Sequence, residues 1–171
     1  MSPPVLQTAR LKLRGHRIED ISALAAMWAD PTVTQYIGGT PATSEESWTR
    51  LLRYIGHWTL MGFGYWAIEQ KETARYIGEA GFADHRRIFA SDLKHLPEIG
   101  WVIAPEFQGR GYGTEAVRAV LAWGDTRLRQ SRTTCLIEPD NLASIRIAQK
   151  FGYIEHQQTV CQGRPEKVFV R

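Results

Sequence analysis

The stretch Glu106–Val117, EFQGRGYGTEAV, places three glycines within five residues, directly before a segment with helical apolar spacing. Glycine inside a regular element costs about 0.5–1 kcal/mol relative to alanine, so this density indicates a constraint on the backbone. A Walker A loop needs a lysine after its last glycine, but Thr114 follows Gly113. A dinucleotide fingerprint, G-x-G-x-x-G, needs its third glycine where Thr114 stands. The pattern instead predicts that the amides from Gly109 to Thr114 point at one anion at a helix N-terminus, with Arg110 adding a charge-assisted contact.

The composition around this loop predicts one globular domain spanning residues 1–171. Hydrophobic residues make up 43% of the 171 and charged residues 23%, as in ordinary globular proteins. A chain of this length buries about 70% of the surface that its unfolded form exposes, so no disulfide or metal staple is required. No apolar run approaches the ~20 residues of a membrane span, and the first residues lack the apolar core of a signal peptide. We therefore expect a cytoplasmic protein with no membrane partner.

Charge and metal-binding residues exclude several classes of function. The net charge of +3 is mild, and the lysines and arginines are spread along the chain without a nucleic-acid-binding motif, so we predict no nucleic-acid partner. Cys135 and Cys161 lie far apart, with no CxxC spacing, and the sequence assigns them no role. The histidines show no ligand spacing, and we predict no metal site.

Apolar periodicity predicts alternating strands and helices. Thr43 and Glu46 form a capping box before a helix whose predicted apolar face is Trp48, Leu51, Leu52, Ile55 and Trp58. The segments EIGWVI (98–103) and TTCLI (133–137) read as buried strands on either side of the helix that follows the glycine loop. A strand, helix and strand in this order form a parallel crossover unit. The remaining patterns predict an opening strand at RLKLRGH, an early helix through Ile21, Leu24 and Trp28, a hairpin FGYWAIE/RYIGEAGFAD, a short helix from Leu142 and a closing hairpin.

The motifs resemble a known family. Gln108–Gly113 matches the Q/R-x-x-G-x-G/A signature of the GNAT superfamily of N-acetyltransferases. The longer stretches EIGWVIAPEFQGRGYGTEAV and EPDNLASIRIAQKFGY, with LQTARLKLR near the start, resemble its RimJ/RimL-type branch. The resemblance implies a mixed α/β (α+β) GNAT fold: one central, mostly antiparallel twisted sheet with two splayed parallel central strands, flanked by about four helices.

The resemblance also implies roles for individual residues. Backbone amides would hold the pyrophosphate of acetyl-coenzyme A, the edge of strand 98–103 would pair with pantetheine, and Glu98 would act as general base through water. Asn141 and Ser144 would lie near the pantetheine arm and the thiolate sulfur, since the tyrosine acid of many members is replaced by Ala148. The implied cofactor-binding residues are Val102, Ile103, Gln108, Gly109, Arg110, Gly111, Tyr112, Gly113, Thr114, Asn141 and Ser144; the predicted acceptor-side residues are Trp28, Tyr36 and Trp66.

The implied activity is acetyl transfer from acetyl-coenzyme A to a primary amine by direct attack. The acceptor is a protein N-terminal α-amine, with a pKa of about 8, or a small-molecule amine. The early helices and the polar segment His85–His95 would decide among acceptors. A non-catalytic acyl-coenzyme A binding or sensing module is the alternative, and both a monomer and a homodimer fit the sequence.

Overall fold

The computed structural model describes residues 2–87 and 93–171, so residues 88–92 of the predicted polar segment lie outside it. The described residues form an eight-stranded sheet in the order β1-β2-β3-β4-β5-β6-β8-β7, with five α-helices. The strands are β1 Leu6–Gln7, β2 Leu11–Arg14, β3 Tyr65–Gln70, β4 Tyr76–Ala83, β5 Glu98–Ile103, β6 Thr134–Ile137, β7 Ile154–Cys161 and β8 Arg164–Val170. The helices are α1 Ile21–Trp28, α2 Pro31–Thr34, α3 Ser44–Met61, α4 Tyr112–Arg127 and α5 Leu142–Lys150. Within these residues, none of the helices is both long and apolar enough to cross a bilayer.

The two central strands β5 and β6 splay apart, as the sequence predicted. They are the parallel pair in an otherwise antiparallel sheet, and their register contains the single pair Glu98–Thr134. By contrast, β5 pairs with β4 along its whole length, from Glu98 to Ile103. The edge of β5 that faces β6 is therefore open beyond its first residue.

Strand alternation divides the sheet into two faces with different neighbours. Residues directly opposite each other across a strand pair share a face, so the register places Glu79 beside Val102 and on the same face as Tyr65 and Glu98. Val102 packs there among the buried side chains of α1 and α3. The other face carries Trp66, Phe82 and Ile99, which pack against the buried side of α4.

Helix α3 begins as predicted but buries a different stripe. Thr43 accepts from the Glu46 amide, and the Glu46 carboxylate accepts from the Thr43 amide, which completes the capping box. The buried residues are Ser47, Leu51, Tyr54 and Trp58, whereas Trp48, Leu52 and Ile55 are 40%, 50% and 43% exposed. The predicted face was wrong because polar Ser47 and amphipathic Tyr54 occupy the buried positions.

The N-terminal segment braces the glycine loop. Arg10 donates from Nε to the Glu115 carboxylate at 2.7 Å and from Nη1 to the Arg110 carbonyl at 3.0 Å. Thr8 adds a hydroxyl bond to Glu115 at 2.6 Å. Glu115 lies in the first turn of α4, so β2 and the loop are fixed to each other across more than 100 residues of sequence.

Candidate active site

A cavity of about 650 Å³ lies on the face of the sheet that carries α1 and α3. It extends from α3, across the splay between β5 and β6, to β8 and the first residues of α5. Six of the residues singled out from the sequence line it: Trp28, Tyr36, Glu98, Val102, Asn141 and Ser144. The glycine loop, Ile103 and Trp66 lie outside its walls.

The glycine loop leaves six consecutive amides free. Gly109 and Gly111 have φ values of +71° and +81°, and Gly111 is the N-cap of α4. Among the described residues, none of the backbone N–H groups from Gly109 to Thr114 donates to a protein acceptor, and the first helical bond runs from Glu115 to Gly111. The positive end of the helix dipole adds to this row of donors. The residues present therefore fit a pyrophosphate, and its binding by this loop stays a prediction.

Gln108 braces the loop rather than extending this row of free amides. Its backbone N–H donates to the Pro105 carbonyl at 3.2 Å, and its side-chain Nε2 donates to the Ile103 carbonyl at 2.8 Å. The prediction of a free Gln108 amide was wrong because the residue closes the short 3-10 helix Pro105–Phe107.

The free edge of β5 agrees only in part with the predicted pair, Val102 and Ile103. The Thr134 amide donates to the Pro97 carbonyl across the splay, so by alternation the peptide groups of Ile99 and Trp101 face the gap. Those of Val102 face β4, whose Gly78 lies against the Val102 carbonyl. The Ile103 carbonyl also faces the gap but is taken by Gln108. The peptide groups of Val102 are therefore not available at this edge, and Val102 contributes its side chain to the cavity.

Asn141 and Ser144 meet at the start of α5. Asn141 is the N-cap, and its Oδ1 accepts from the Ser144 amide at 3.1 Å. In the described part of the chain, the Ser144 hydroxyl makes no hydrogen bond, and both side chains line the cavity. Asn141 thus has a capping role that leaves its amide nitrogen available, and Ser144 presents an uncommitted hydroxyl.

Trp66 is a core residue. It is fully buried and packs edge-on against Trp58 and Trp123, with ring centroids 4.6 and 5.1 Å away. Its Nε1 donates to the Pro4 carbonyl at 2.7 Å. The predicted acceptor-side role was wrong because alternation in β3 points Tyr65, not Trp66, into the cavity.

Glu98 is held by an ion pair. Its carboxylate accepts from Arg87 Nε at 2.7 Å and from Nη2 at 3.2 Å. His85 lies 3.6 Å from the same group, and burial lowers the pKa of His85 more than Glu98 raises it. Arg87 also donates to the Cys161 sulfur at 2.9 Å. Glu98 is therefore a buried, oriented carboxylate rather than a solvated strand end.

Glu166 is a second carboxylate in the cavity, on β8. Partial burial, reinforced by Glu138 and Glu98, raises the pKa of Glu166 to about 7, although Arg87 and Arg164 oppose the rise. Arg164 is instead engaged with Glu138, at 3.0 Å from its Nε, and with the Gln35 carbonyl. The carboxylate of Glu166 makes no hydrogen bond or ion pair within residues 2–87 and 93–171. Sequence reasoning missed it, since a single glutamate in a C-terminal strand carries no motif.

Glu79 forms the floor of the cavity. It is fully buried and accepts from Trp28 Nε1 at 3.1 Å, from the Tyr76 hydroxyl at 2.8 Å and from the Tyr54 hydroxyl. Burial alone would raise its pKa, but nearby His16 and the donated hydrogen bonds outweigh burial and hold the pKa below its usual value. Glu79 is thus an ionised, fully bonded group with a positioning role.

The two cysteines also line the cavity. Cys135 is 1% exposed, and burial raises the pKa of its thiol well above the usual value, with Glu98 adding to the rise. A protonated, buried thiol is a poor nucleophile.

Comparisons with known proteins agree with this geometry. The family model for the acetyltransferase (GNAT) domain matches residues 10–154. An uncharacterized N-acetyltransferase of Bacillus subtilis (strain 168), YnaD, is 37% identical over 147 residues, which cover 86% of this chain and 81% of that protein. The acetyltransferase from Agrobacterium tumefaciens str. C58 superposes with a TM-score of 0.85 at 26% identity, covering 100% of this chain and 95% of that one. The ribosomal L7/L12 α-N-protein acetyltransferase RimL, solved with coenzyme A, shares the fold with a TM-score of 0.79 at 17% identity, covering 98% and 97%. A chain with this sheet, this loop and these relatives belongs to the GNAT family of acetyltransferases.

Proposed function

We propose that this protein transfers the acetyl group of acetyl-coenzyme A to a primary amine that enters the cavity over β5. The observation that carries the proposal is the row of six free amides from Gly109 to Thr114, at the end of a strand whose edge is open beyond Glu98. The amides bind the pyrophosphate, with Arg110 beside them. The free peptide groups of Ile99 and Trp101 pair with the pantetheine arm as an added strand would.

The reaction requires a neutral amine and a stabilised leaving thiolate. The amine nitrogen forms a bond to the thioester carbon, the carbon–sulfur bond breaks, and one proton leaves the amine. In this proposal the Ser144 hydroxyl, which makes no hydrogen bond within the described residues, donates to the sulfur, and the α5 N-terminus adds its dipole.

The cavity offers two carboxylates for the proton. Glu98, indicated by the sequence, must loosen its ion pair with Arg87 before it can accept one. Glu166 has no such partner, and its pKa of about 7 suits a base at neutral pH. We therefore propose that Glu98 orients the amine or its water and that Glu166 takes the proton; Glu98 acting as base through water is the alternative.

Release of free coenzyme A thiol tests the activity. The protein is mixed with acetyl-coenzyme A and a panel of amines: N-terminal peptides, polyamines, amino sugars and amino acids. We expect thiol release that depends on one class of acceptor and a large loss of rate in Glu98→Gln. Tight coenzyme A binding without turnover on any acceptor would instead support a sensing module. The relatives are named as N-acetyltransferases, which favours the enzyme.

Arg110→Gln tests the cofactor loop. Arg110 is exposed and makes no ion pair within the described residues, so its loss should leave stability unchanged and weaken coenzyme A binding about 10-fold, as expected for one charge-assisted contact. Calorimetric titration measures the affinity. Arg129→Gln is the matched control, because Arg129 is also exposed but follows the C-terminal end of α4. Equal coenzyme A affinities in the wild type, Arg110→Gln and Arg129→Gln would contradict a contact between Arg110 and the pyrophosphate. Gly111→Val is a poorer probe, because φ at Gly111 is +81° and valine would be strained there whatever the ligand.

A further inference from the structure

The wall of the cavity formed by α3 carries two arginines without counter-ions. Arg50 and Arg53 lie about one helical turn apart and both line the cavity. Among residues 2–87 and 93–171, neither makes a hydrogen bond or an ion pair, and the Nε of Arg50 is buried without a partner. Arg50 is half-buried and Arg53 is exposed. A buried donor left without an acceptor is costly, which makes the Nε of Arg50 informative.

Arg50 is held in place by stacking. Its guanidinium carbon lies 3.5 Å from the centroid of the Trp28 ring, and Trp28 is fixed by its bond to Glu79. Arg53 lies 5.6 Å from the centroid of the Tyr54 ring. Glu79 is near enough to Arg50 for the charge to lower its pKa, but its oxygens are taken up by Trp28 and two tyrosine hydroxyls. The planar fork of Arg50 is therefore preorganised and open toward the cavity.

The remaining charges in the wall are already matched, with one exception. Arg87 pairs with Glu98, Arg164 pairs with Glu138, and Glu46 accepts from the Thr43 amide. The exception is Glu166, which lies across the splay from α3, on the far side of β5 and β6 in the sheet order. Among the described residues, the wall thus has two arginines without ion-pair partners on α3 and a carboxylate without one on β8, while Glu46 and Glu79 also lie on the α3 side.

We propose that Arg50, assisted by Arg53, binds a carboxylate carried by the acceptor, so that the substrate is a small amine with a carboxylate in the same molecule, such as an α-amino acid. The inference rests on the proposed acetyl transfer and assigns its substrate class. Arginine binds carboxylates in a bidentate fashion, and Glu98 and Glu166, the two carboxylates proposed to act on the amine, line the same cavity. Tyr65 lies between the two ends, stacked on Tyr54 and with its hydroxyl over Gly100.

Matched acceptors test the proposal. Each amino acid in a panel is compared with the amino alcohol in which CH2OH replaces the carboxylate, because this change keeps an alkyl amine of similar shape. Wild-type protein is expected to show a kcat/KM roughly 10- to 100-fold higher for the amino acid, the range of one or two hydrogen bonds to a charged group. Arg50→Met, which keeps the stem over Trp28, should remove this preference and leave the KM for acetyl-coenzyme A unchanged. Arg129→Met is the matched control and should behave as wild type.

The outcomes separate this inference from the proposed function. Thiol release with amino alcohols or N-terminal peptides at rates equal to or above those of amino acids would overturn the inference while acetyl transfer stands. Absence of turnover with every amine would overturn acetyl transfer; calorimetric titration of amino acids into the coenzyme A complex then decides the Arg50 site. Binding that is lost in Arg50→Met supports the site, and absence of binding to wild type overturns it.

Discussion

Glu166→Gln is expected to abolish the rise of kcat/KM with pH near pH 7 and to lower the rate at pH 8 by about 100-fold or more, the usual contribution of a general base. The reason is the raised pKa of Glu166, about 7, in a carboxylate that has no competing partner in the described structure. Glu98→Gln is expected to lower the rate by a similar factor but to keep a rise, because it leaves the titrating group in place. The rise should move to lower pH, since the Glu98 charge contributes to the raised pKa of Glu166. Steady-state rates from pH 5 to 9 measure both effects.

The acceptor amine adds its own pH dependence, which is the same in both variants and cancels when their profiles are compared. If Glu98→Gln removed the rise and Glu166→Gln kept it, Glu98 would be the base.

Thermal stability gives an independent control. The folded-state pKa of Glu166 lies above its ordinary value of 4.5, so wild-type protein loses stability as pH rises from about 4.5 through about 7. Glu166→Gln should therefore match wild type at pH 4 and melt at a higher temperature at pH 8.

Glu79→Ala is expected to lower the free energy of unfolding by about 3–5 kcal/mol, the cost of removing one partner from a buried charged network. The change leaves the Trp28 Nε1–H and the hydroxyls of Tyr54 and Tyr76 without their acceptor, and all three side chains are buried or half-buried. Chemical denaturation at pH 7 measures it. Glu79→Gln is the matched control, because it keeps the volume and one acceptor oxygen and should lose less.

The free energy of unfolding of wild type and Glu79→Gln should also depend on pH in a known direction. The folded-state pKa of Glu79 lies below its ordinary value, so its stabilising contribution is present above about pH 4.5 and is lost as pH falls through the lower folded-state value. The gap between wild type and Glu79→Gln should narrow in acid. A gap that stays constant down to pH 3 would show that the pKa of Glu79 is the same in the folded and unfolded protein, and a gap that widens in acid would show that Glu79 is neutral in the folded protein.

Local patterns in the sequence predicted the fold because they coincide with local structure. The capping box at Thr43 and Glu46, the glycine loop and the parallel crossover all involve residues close in sequence. The buried face of α3 was predicted less well, because hydrophobicity alone ranks Trp48 and Ile55 above Ser47 and Tyr54. Burial of those two depends on partners in distant elements, such as Glu79 in β4.

The site was predicted in part for the same reason. Glu98 and Ser144 were found through motifs, and the structure brings both to one cavity. Arg50, Glu79 and Glu166 acquire their character only from tertiary neighbours: an aromatic ring, three donors and two other carboxylates. No spacing rule encodes these contacts, since they join α3, β4 and β8 across the sheet.

The brace from Arg10 and Thr8 to Glu115 has a consequence for transplanting the glycine motif. The loop carbonyl at Arg110 is bonded to a side chain 100 positions earlier in the chain. Closing so long a segment carries an entropic cost that only the assembled sheet offsets. A graft of residues 98–117 into another scaffold would therefore carry the glycines without the contacts that fix them. We expect the loop geometry to be kept only when an equivalent of the segment before β2, with Thr8 and Arg10, is grafted with it.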